Sequence, residues 1–341
     1  MAGLTATGAP GASGELARLR TLARAILGAG PDLCAAVEPV QELRLLAERL
    51  SGIDMSAGLN IGEGQSWLPS GLAVSPVNAA LCAREFLRSA AFIQGAGAAL
   101  EQAATRCEGR PVRVLYAGCG PFAFLLLPLM ALWPPGRAQF TLLDIHEEAL
   151  APARALVTAL GLDAAVAAWV RADAATVRLD PEALPDVIVS ETMSAALLRE
   201  PQVAITRNLL GQAPAALMVP AEVRVDCVLC ERPDETGAWQ ETLSLGQVFA
   251  LDAAAVASWD AAPDGVLPGA TLILPEPRMP RRRLRLLTEI TVFGDIVLTR
   301  GQCSLNTPRY LAFPAELQGG QRLQFRYRLG PNPGIEAAPW C

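Results

Sequence analysis

The run Val112-Arg-Val-Leu-Tyr-Ala117 leads directly into Gly118-Cys119-Gly120-Pro121, and this junction constrains the fold more than any other stretch of the chain. An apolar strand here feeds a turn that glycine makes at little steric cost, and a helix is expected over Phe122–Trp133. A helix starting at that point would offer free backbone N–H groups to a ligand. The alternation continues downstream. Strands are expected at Gln139–Asp144, Ala165–Arg171 and Asp186–Ser190, with helices at Glu147–Leu160 and Val203–Gly211. Strand and helix in this order imply a Rossmann-type α/β domain: a parallel, doubly wound sheet that takes ligands at the carboxyl ends of its strands.

Both flanks differ in pattern. Residues 1–14 are rich in Gly, Ala, Ser, Thr and Pro and read as a disordered tail. From Glu15 to about Leu50 apolar residues recur at helical spacing, a Gly- and Ser-containing loop crosses 51–76, and Asn78–Gln102 reads as a further helix. Beyond Pro220 the stretches Val223–Leu229, Leu243–Phe249, Arg283–Thr291, Asp295–Thr299 and Arg322–Arg328 read as antiparallel strands, with one helix at Ala253–Trp259. The expected organisation is a tail and helical segment over 1–109, a cofactor-binding domain over 110–220 and a β-barrel-like domain over 221–341.

The strand ends carry the candidate ligands. Asp144 closes the strand after the glycine turn, 24 residues beyond Gly120, where a carboxylate accepts both hydroxyls of a ribose. Asp173 follows the third strand, within reach of an adenine amino group. With Gly118, Cys119, Gly120, Ile145 and Ala174 these residues form a candidate nucleoside-cofactor site. Gly118-Cys-Gly120-Pro-Phe-Ala123 also fits a dinucleotide fingerprint with Ala in third place. A dinucleotide domain often starts near the N-terminus, however, and here about a hundred residues precede it. That layout resembles the S-adenosylmethionine-dependent methyltransferase fold, and the resemblance implies S-adenosyl-L-methionine with Asp144 on the ribose and Asp173 near adenine.

Glu191 ends the strand Asp186–Ser190 region and Glu200 follows nine residues later. A hairpin-like return would set the second carboxylate beside the first. Two carboxylates facing one pocket suit a planar, cationic, multi-donor group such as guanidinium.

The stretch Ser190-Glu-Thr-Met-Ser-Ala-Ala-Leu-Leu-Arg-Glu200 resembles the paired-glutamate loop of protein arginine methyltransferases. Cys82-Ala-Arg-Glu-Phe-Leu-Arg88-Ser89 is similar to the helix of that family whose arginine contacts the cofactor carboxylate. Thr206-Arg-Asn-Leu-Leu and Leu217-Met-Val-Pro220 resemble its passage into a β-barrel. The resemblance covers residues 78–225 by motif and the remainder by architecture. It implies an S-adenosylmethionine-dependent N-methyltransferase acting on a guanidino nitrogen. Glu191 and Glu200 would grip the guanidinium, Met193 would line the active site, and Arg88 would hold the cofactor carboxylate. It also implies a homodimer, with Phe249–Pro268 as the counterpart of the family's dimerisation arm. Three departures stand out. Tyr116 replaces a common acidic residue, Phe122 replaces a glycine, and Asn306-Thr307-Pro308-Arg309 stands where the family has Thr-His-Trp. The last favours a small guanidino molecule, most simply free L-arginine, as in the arginine methyltransferase of streptozotocin-type natural-product biosynthesis.

Composition narrows the remaining classes. The net charge is -6 and the chain has no lysine, so a nucleic-acid-binding stripe is not expected. Arg281-Arg282-Arg283 is the one basic cluster and reads as a solvated strand entrance. Of the eight cysteines only Cys227-Val-Leu-Cys230 form a close pair, with no second pair or nearby histidine to complete a metal set, and they read as free thiols of a cytoplasmic protein; no metal site is expected. Phe122–Trp133 is too short to span a bilayer. His146, the single histidine, reads as a rim residue beside Asp144. Alternatives at this stage are a methyltransferase acting on another amine or hydroxyl with Glu191 as general base, a nicotinamide-dependent oxidoreductase, and a non-catalytic nucleoside-binding module.

Overall fold

The computed structural model describes residues 12–53, 61–231, 240–259, 265–276, 282–313 and 317–340. Two helices, α1 (Ala12–Gly28) and α2 (Val37–Ser51), open the chain. The expected tail over 1–14 therefore overlaps α1 at its last three positions, and the rest of it lies outside the described residues. Leu33–Ala36 forms a 3-10 turn between the helices, capped by the Asp32 side chain, which accepts from Cys34 N–H at 3.1 Å. Within 51–76, expected as loop, the chain forms a short hairpin of β1 (Ser66–Leu68) and β2 (Gly71–Ala73). Three-residue strands are too short for periodicity to reveal.

The helix expected over 78–102 is broken into α3 (Pro76–Leu81), a 3-10 turn at Cys82–Arg84, and α4 (Phe86–Arg106). The break centres on Glu85, whose carboxylate is captured by Ser304 from a distant strand turn and by Arg88. Phe92, Ile93, Ala96 and Leu100 of α4 are fully buried. At Gly95 the helix meets the C-terminal sheet so closely that an added Cβ would lie 2.5 Å from Val292 Cγ1. Glycine thus permits the contact that joins the two halves of the molecule.

The central sheet comprises β3 (Val112–Ala117), β4 (Ala138–Asp144), β5 (Val166–Arg171), β6 (Val187–Ser190) and β7 (Leu217–Val219). Its order is β5-β4-β3-β6-β7 and all its pairings are parallel. The strand order reverses at β3, so a crevice opens at the carboxyl ends of β3 and β6, where Gly118 and Glu191 lie. Helices α5 (Leu127–Leu132), α6 (Glu147–Ala159) and α7 (Gln202–Gln212) complete the crossovers. The helix expected from Phe122 begins only at Leu127. Pro128 occupies its first turn, where a missing N–H is tolerated; a start at Phe122 would set that ring against the carbonyl of Phe124. Residues 122–126 are instead irregular, with Ala123 at φ 43°.

The C-terminal half is antiparallel. β8 (Glu222–Glu231), β9 (Gln240–Asp252), β11 (Arg282–Phe293) and β12 (Ile296–Leu298) pair in the order β12-β11-β8-β9, and β13 (Arg309–Leu311) adds to β11. A second sheet has β14 (Arg322–Arg328) between β10 (Val266–Ile273) and β15 (Gly334–Pro339). The α/β class with a C-terminal antiparallel domain is therefore as expected. β10, β13 and β15 were not anticipated, because Pro268-Gly269, Pro308 and Pro339 interrupt their patterns. The 249–268 segment does not project as an arm among its described residues. Phe249 is in β9 and stacks between Trp259 and Tyr327, at centroid distances of 5.7 and 4.9 Å, and α8 (Ala253–Ser258) packs on α7. The apolar rings find their burial within the chain. Of the Arg281–Arg283 cluster, Arg281 lies outside the described residues, and the other two open β11.

Candidate active site

Every sequence-predicted site residue (Arg88, Gly118, Cys119, Gly120, Asp144, Ile145, Asp173, Ala174, Glu191, Met193 and Glu200) lines a single cleft at the carboxyl edge of the parallel sheet. Its empty volume is about 1330 Å³ with open solvent at the mouth included.

On the β3–β4 side the glycine turn is held by the sheet itself. Gly118 and Cys119 N–H both donate to the Leu143 carbonyl, at 2.8 and 3.0 Å. Gly118 has φ 74°, and a Cβ there would lie 2.4 Å from Thr192 Cγ2, so the position requires glycine on both counts. Gly120 N–H donates to Asp144 Oδ2 at 2.9 Å and His146 N–H to Oδ1 at 3.0 Å. Burial raises the Asp144 carboxyl above its ordinary range, and these backbone donors pull against it. Each oxygen keeps lone pairs for a ribose hydroxyl. Asp173 Oδ1 accepts from Ala175 N–H at 2.8 Å, which fixes the loop after β5. The helix N-terminus expected to supply free N–H groups immediately after Gly120 is displaced to Leu127, so that contribution is absent.

The acidic side is built differently from a hairpin. After Glu191 the chain runs through a 3-10 turn at Ala195–Leu197, and Ala196, Leu197 and Arg199 have φ of 62°, 57° and 66°. Three non-glycine residues in the left-handed region persist only where the surroundings over-determine them. They do so here. Gln202, fully buried at the start of α7, accepts from Thr192 N–H and Oγ1 (2.9 Å each) and donates to the Ser190 carbonyl at 3.1 Å. Thr288 Oγ1 accepts from Ala196 N–H at 2.9 Å, and Tyr327 donates its hydroxyl to the Leu197 carbonyl at 2.7 Å. Arg199 N–H donates to the Pro333 carbonyl at 2.9 Å, while the Arg199 carbonyl accepts from Leu72 N–H at 2.7 Å. Sequence reasoning missed all of these supports. Only Gln202, which with Thr206 one turn on interrupts a mainly apolar helix face, carried a readable signal.

Arg88, buried to 6% exposure, donates to Glu85 Oε2 at 2.7 Å and to Glu191 Oε2. Burial alone would lower its affinity for its proton, and the Glu191 carboxylate more than reverses that. Arg88 thus binds carboxylates of its own chain, a network that its expected contact with a cofactor did not include. Glu85 is itself held by Ser304, whose N–H and hydroxyl donate at 2.6 and 2.8 Å. Burial pushes the Glu191 carboxyl upward, with Arg88 opposing. Its second oxygen, Oε1, is buried and makes no hydrogen bond of good geometry among the described residues, while the nearby Met193 backbone N–H adds a weaker pull on the carboxyl. Glu200 has no donor among the described residues either, and burial together with the Glu191 charge pushes it up to about 7. Two acceptors in one cleft therefore await a donor. Met193 is buried beside them.

The β1–β2 hairpin closes one wall with Leu68 and Leu72. It is tied to the cofactor side by Ser66 Oγ, 2.9 Å from His146 Nε2, and to the acidic loop by the Leu72 bond and by Arg199 over the Trp67 ring at 5.8 Å. His146 lines the cleft beside Asp144, as expected for a rim residue, and also latches the hairpin. No group of metal ligands occurs among the described residues, and no described helix is long and apolar enough to cross a membrane.

No protein-family model matches the chain, and no curated protein matches it. Among solved structures it is similar to the Trypanosoma brucei PRMT1 enzyme–prozyme heterotetrameric complex with AdoHcy (16% identity, TM-score 0.48, covering 72% of this chain and 89% of that one). It is similar also to PRMT6 (10%, 0.45, 70% and 94%) and to Arabidopsis thaliana protein arginine methyltransferase 10 (14%, 0.43, 69% and 84%). At these scores the likeness carries no argument about chemistry, which rests on the cleft itself.

Proposed function

We propose that the chain is an S-adenosyl-L-methionine-dependent N-methyltransferase acting on a guanidino nitrogen, most simply that of free L-arginine. The observation that carries this reading is the pair of undonated carboxylates, Glu191 Oε1 and Glu200, in the cleft that also holds the glycine turn and Asp144. The cleft fits the cofactor by its own chemistry. Asp144 offers acceptors at a strand end, and Gly118 and Gly120, both at positive φ, form the turn that faces it. Asp173 and Ala174 border the position expected for adenine.

When bound, the cofactor supplies a methyl group on a positively charged sulfur. The protein's task is then positioning and charge. A guanidinium is a poor nucleophile because its lone pairs are delocalised and it is fully protonated at neutral pH. Glu191, held at one oxygen by Arg88, presents the other to two guanidinium N–H groups or to one. Glu200 takes the opposite edge, so the planar cation is fixed in plane and a terminal nitrogen is left facing the cofactor. With the cofactor bound, the nitrogen that receives the methyl would become acidic, and Glu200 is the carboxylate placed to take its proton. In the empty cleft burial and the Glu191 charge raise this carboxyl to about 7, and a bound guanidinium would favour its ionised, proton-accepting form. Met193 limits room around the methylated nitrogen. A place in natural-product biosynthesis and a cytoplasmic location are consistent with a small-molecule substrate, and a homodimer follows from the family resemblance alone.

Incubating the protein with S-adenosylmethionine and either L-arginine or an arginine-rich peptide, followed by mass spectrometry, tests the reading. A methyl on free arginine with the peptide untouched is expected. Methylation of an amine or hydroxyl compound but of no guanidine would refute the guanidine assignment, and stabilisation by a nicotinamide dinucleotide but not by S-adenosylhomocysteine would refute the cofactor.

A further inference from the structure

We propose that Arg309 binds a carboxylate at the far end of the substrate and so makes the site selective for small guanidino acids. The inference rests on the reading of the cleft as a guanidinium site. The cleft wall carries the carboxylates of Asp144, Asp173, Glu191 and Glu200 against two arginines, Arg88 and Arg309. Arg88 is committed to Glu85 and Glu191. Arg309 is exposed, and its guanidinium makes no ion pair or hydrogen bond among the described residues. Among the described residues that line the cleft it is therefore the one arginine without a bound carboxylate, and an anionic group entering the cleft finds compensation there.

Its base is rigid although its head is free. Arg309 opens β13 and pairs with Leu286 of β11. Pro308 precedes it and holds Thr307 extended, at φ -68° and ψ 120°. The turn before that is fastened twice: Asn306 Nδ2 donates to the Thr288 and Leu298 carbonyls at 2.9 and 3.2 Å, and Ser304 donates to Glu85. Through Glu85 and Arg88 the same turn is joined to Glu191, and through Thr288 to the Ala196 backbone of the acidic loop. The element that carries Arg309 is thus registered against both carboxylates that would hold the guanidinium. A molecule with a guanidinium at one end and a carboxylate at the other is complementary to this wall. An internal arginine of a peptide, whose carboxyl is an uncharged amide, is not.

The test is calorimetric binding in saturating S-adenosylhomocysteine, comparing L-arginine with agmatine, which has the same guanidinium and no carboxylate. Wild-type protein should bind L-arginine about tenfold or more tightly than agmatine, as expected for a charge-assisted contact. Arg309→Gln should bring L-arginine down to the agmatine level while leaving agmatine and S-adenosylhomocysteine affinities unchanged, and Arg309→Lys should recover part of the difference. Equal wild-type affinities, or an equal loss for both ligands in Arg309→Gln, would overturn the proposal. Weakened S-adenosylhomocysteine binding would also overturn it, by giving Arg309 to the cofactor instead. If S-adenosylhomocysteine binds and neither guanidine does, the guanidinium reading itself fails and this inference falls with it.

Discussion

Glu200→Gln should stabilise the ligand-free protein at alkaline pH while abolishing guanidine methylation. Burial and the neighbouring Glu191 charge raise the Glu200 carboxyl from its usual 4.5 to about 7. The sign follows from linkage. Below 4.5 the group is protonated in folded and unfolded chains alike, and it adds nothing to the pH dependence. Between 4.5 and 7 only the unfolded chain loses the proton, so folding is progressively disfavoured as pH rises. Above 7 both states are ionised and the penalty is complete. At about 1.36 kcal/mol per pH unit the penalty is at most about 3 kcal/mol. Glutamine keeps the shape and the polarity and cannot ionise. The difference in Tm between Glu200→Gln and wild type, measured without ligand, should thus be near zero at pH 4.5, grow through pH 7 and level off at several degrees above it. Wild-type kcat/KM for guanidine should rise as Glu200 ionises, and Glu200→Gln should show no measurable guanidine turnover at any pH. A Tm difference that is flat with pH, or a variant less stable than wild type at pH 8.5, would refute the reasoning.

Three further outcomes follow from the same geometry. Gly118→Ala should cost about 1–3 kcal/mol from its left-handed backbone alone and more from the clash with Thr192, and should sharply weaken S-adenosylhomocysteine binding by calorimetry. Tyr327→Phe leaves the Leu197 carbonyl without its donor and should cost about 1–3 kcal/mol; kcat should fall with cofactor affinity unchanged, because the hydroxyl supports the acidic loop and not the cofactor side. Ser66→Ala unlatches the hairpin from His146, so stopped-flow dissociation of S-adenosylhomocysteine should quicken while Tm moves by less than about 0.5 kcal/mol equivalent.

The parallel sheet was legible because β3, β4 and β6 are buried on both faces and read as apolar runs ending at Gly118, Asp144 and Glu191. Those ends define the cleft, which is why residues chosen by position and type share one wall. What escaped was short or non-local. The β1–β2 hairpin has three-residue strands, and Pro128 moved the start of α5 by five residues from the expected Phe122 to Leu127. Arg88 was placed by analogy on a cofactor, whereas its partners Glu85 and Glu191 lie 3 and 103 residues away and no local pattern announces the second. The supports of the acidic loop, Thr288 and Tyr327, come from strands 92 and 130 residues distant. Side chains that act through tertiary hydrogen bonds leave no periodic trace.

The most direct test of the account is a crystal structure of the protein with S-adenosylhomocysteine and L-arginine bound together. The guanidinium should lie between Glu191 and Glu200, with a nitrogen donating to Glu191 Oε1, one terminal nitrogen facing the cofactor sulfur, and Arg88 still on Glu85 and Glu191. A guanidinium bound elsewhere, with Glu191 Oε1 left undonated while the cofactor occupies the cleft, would contradict it.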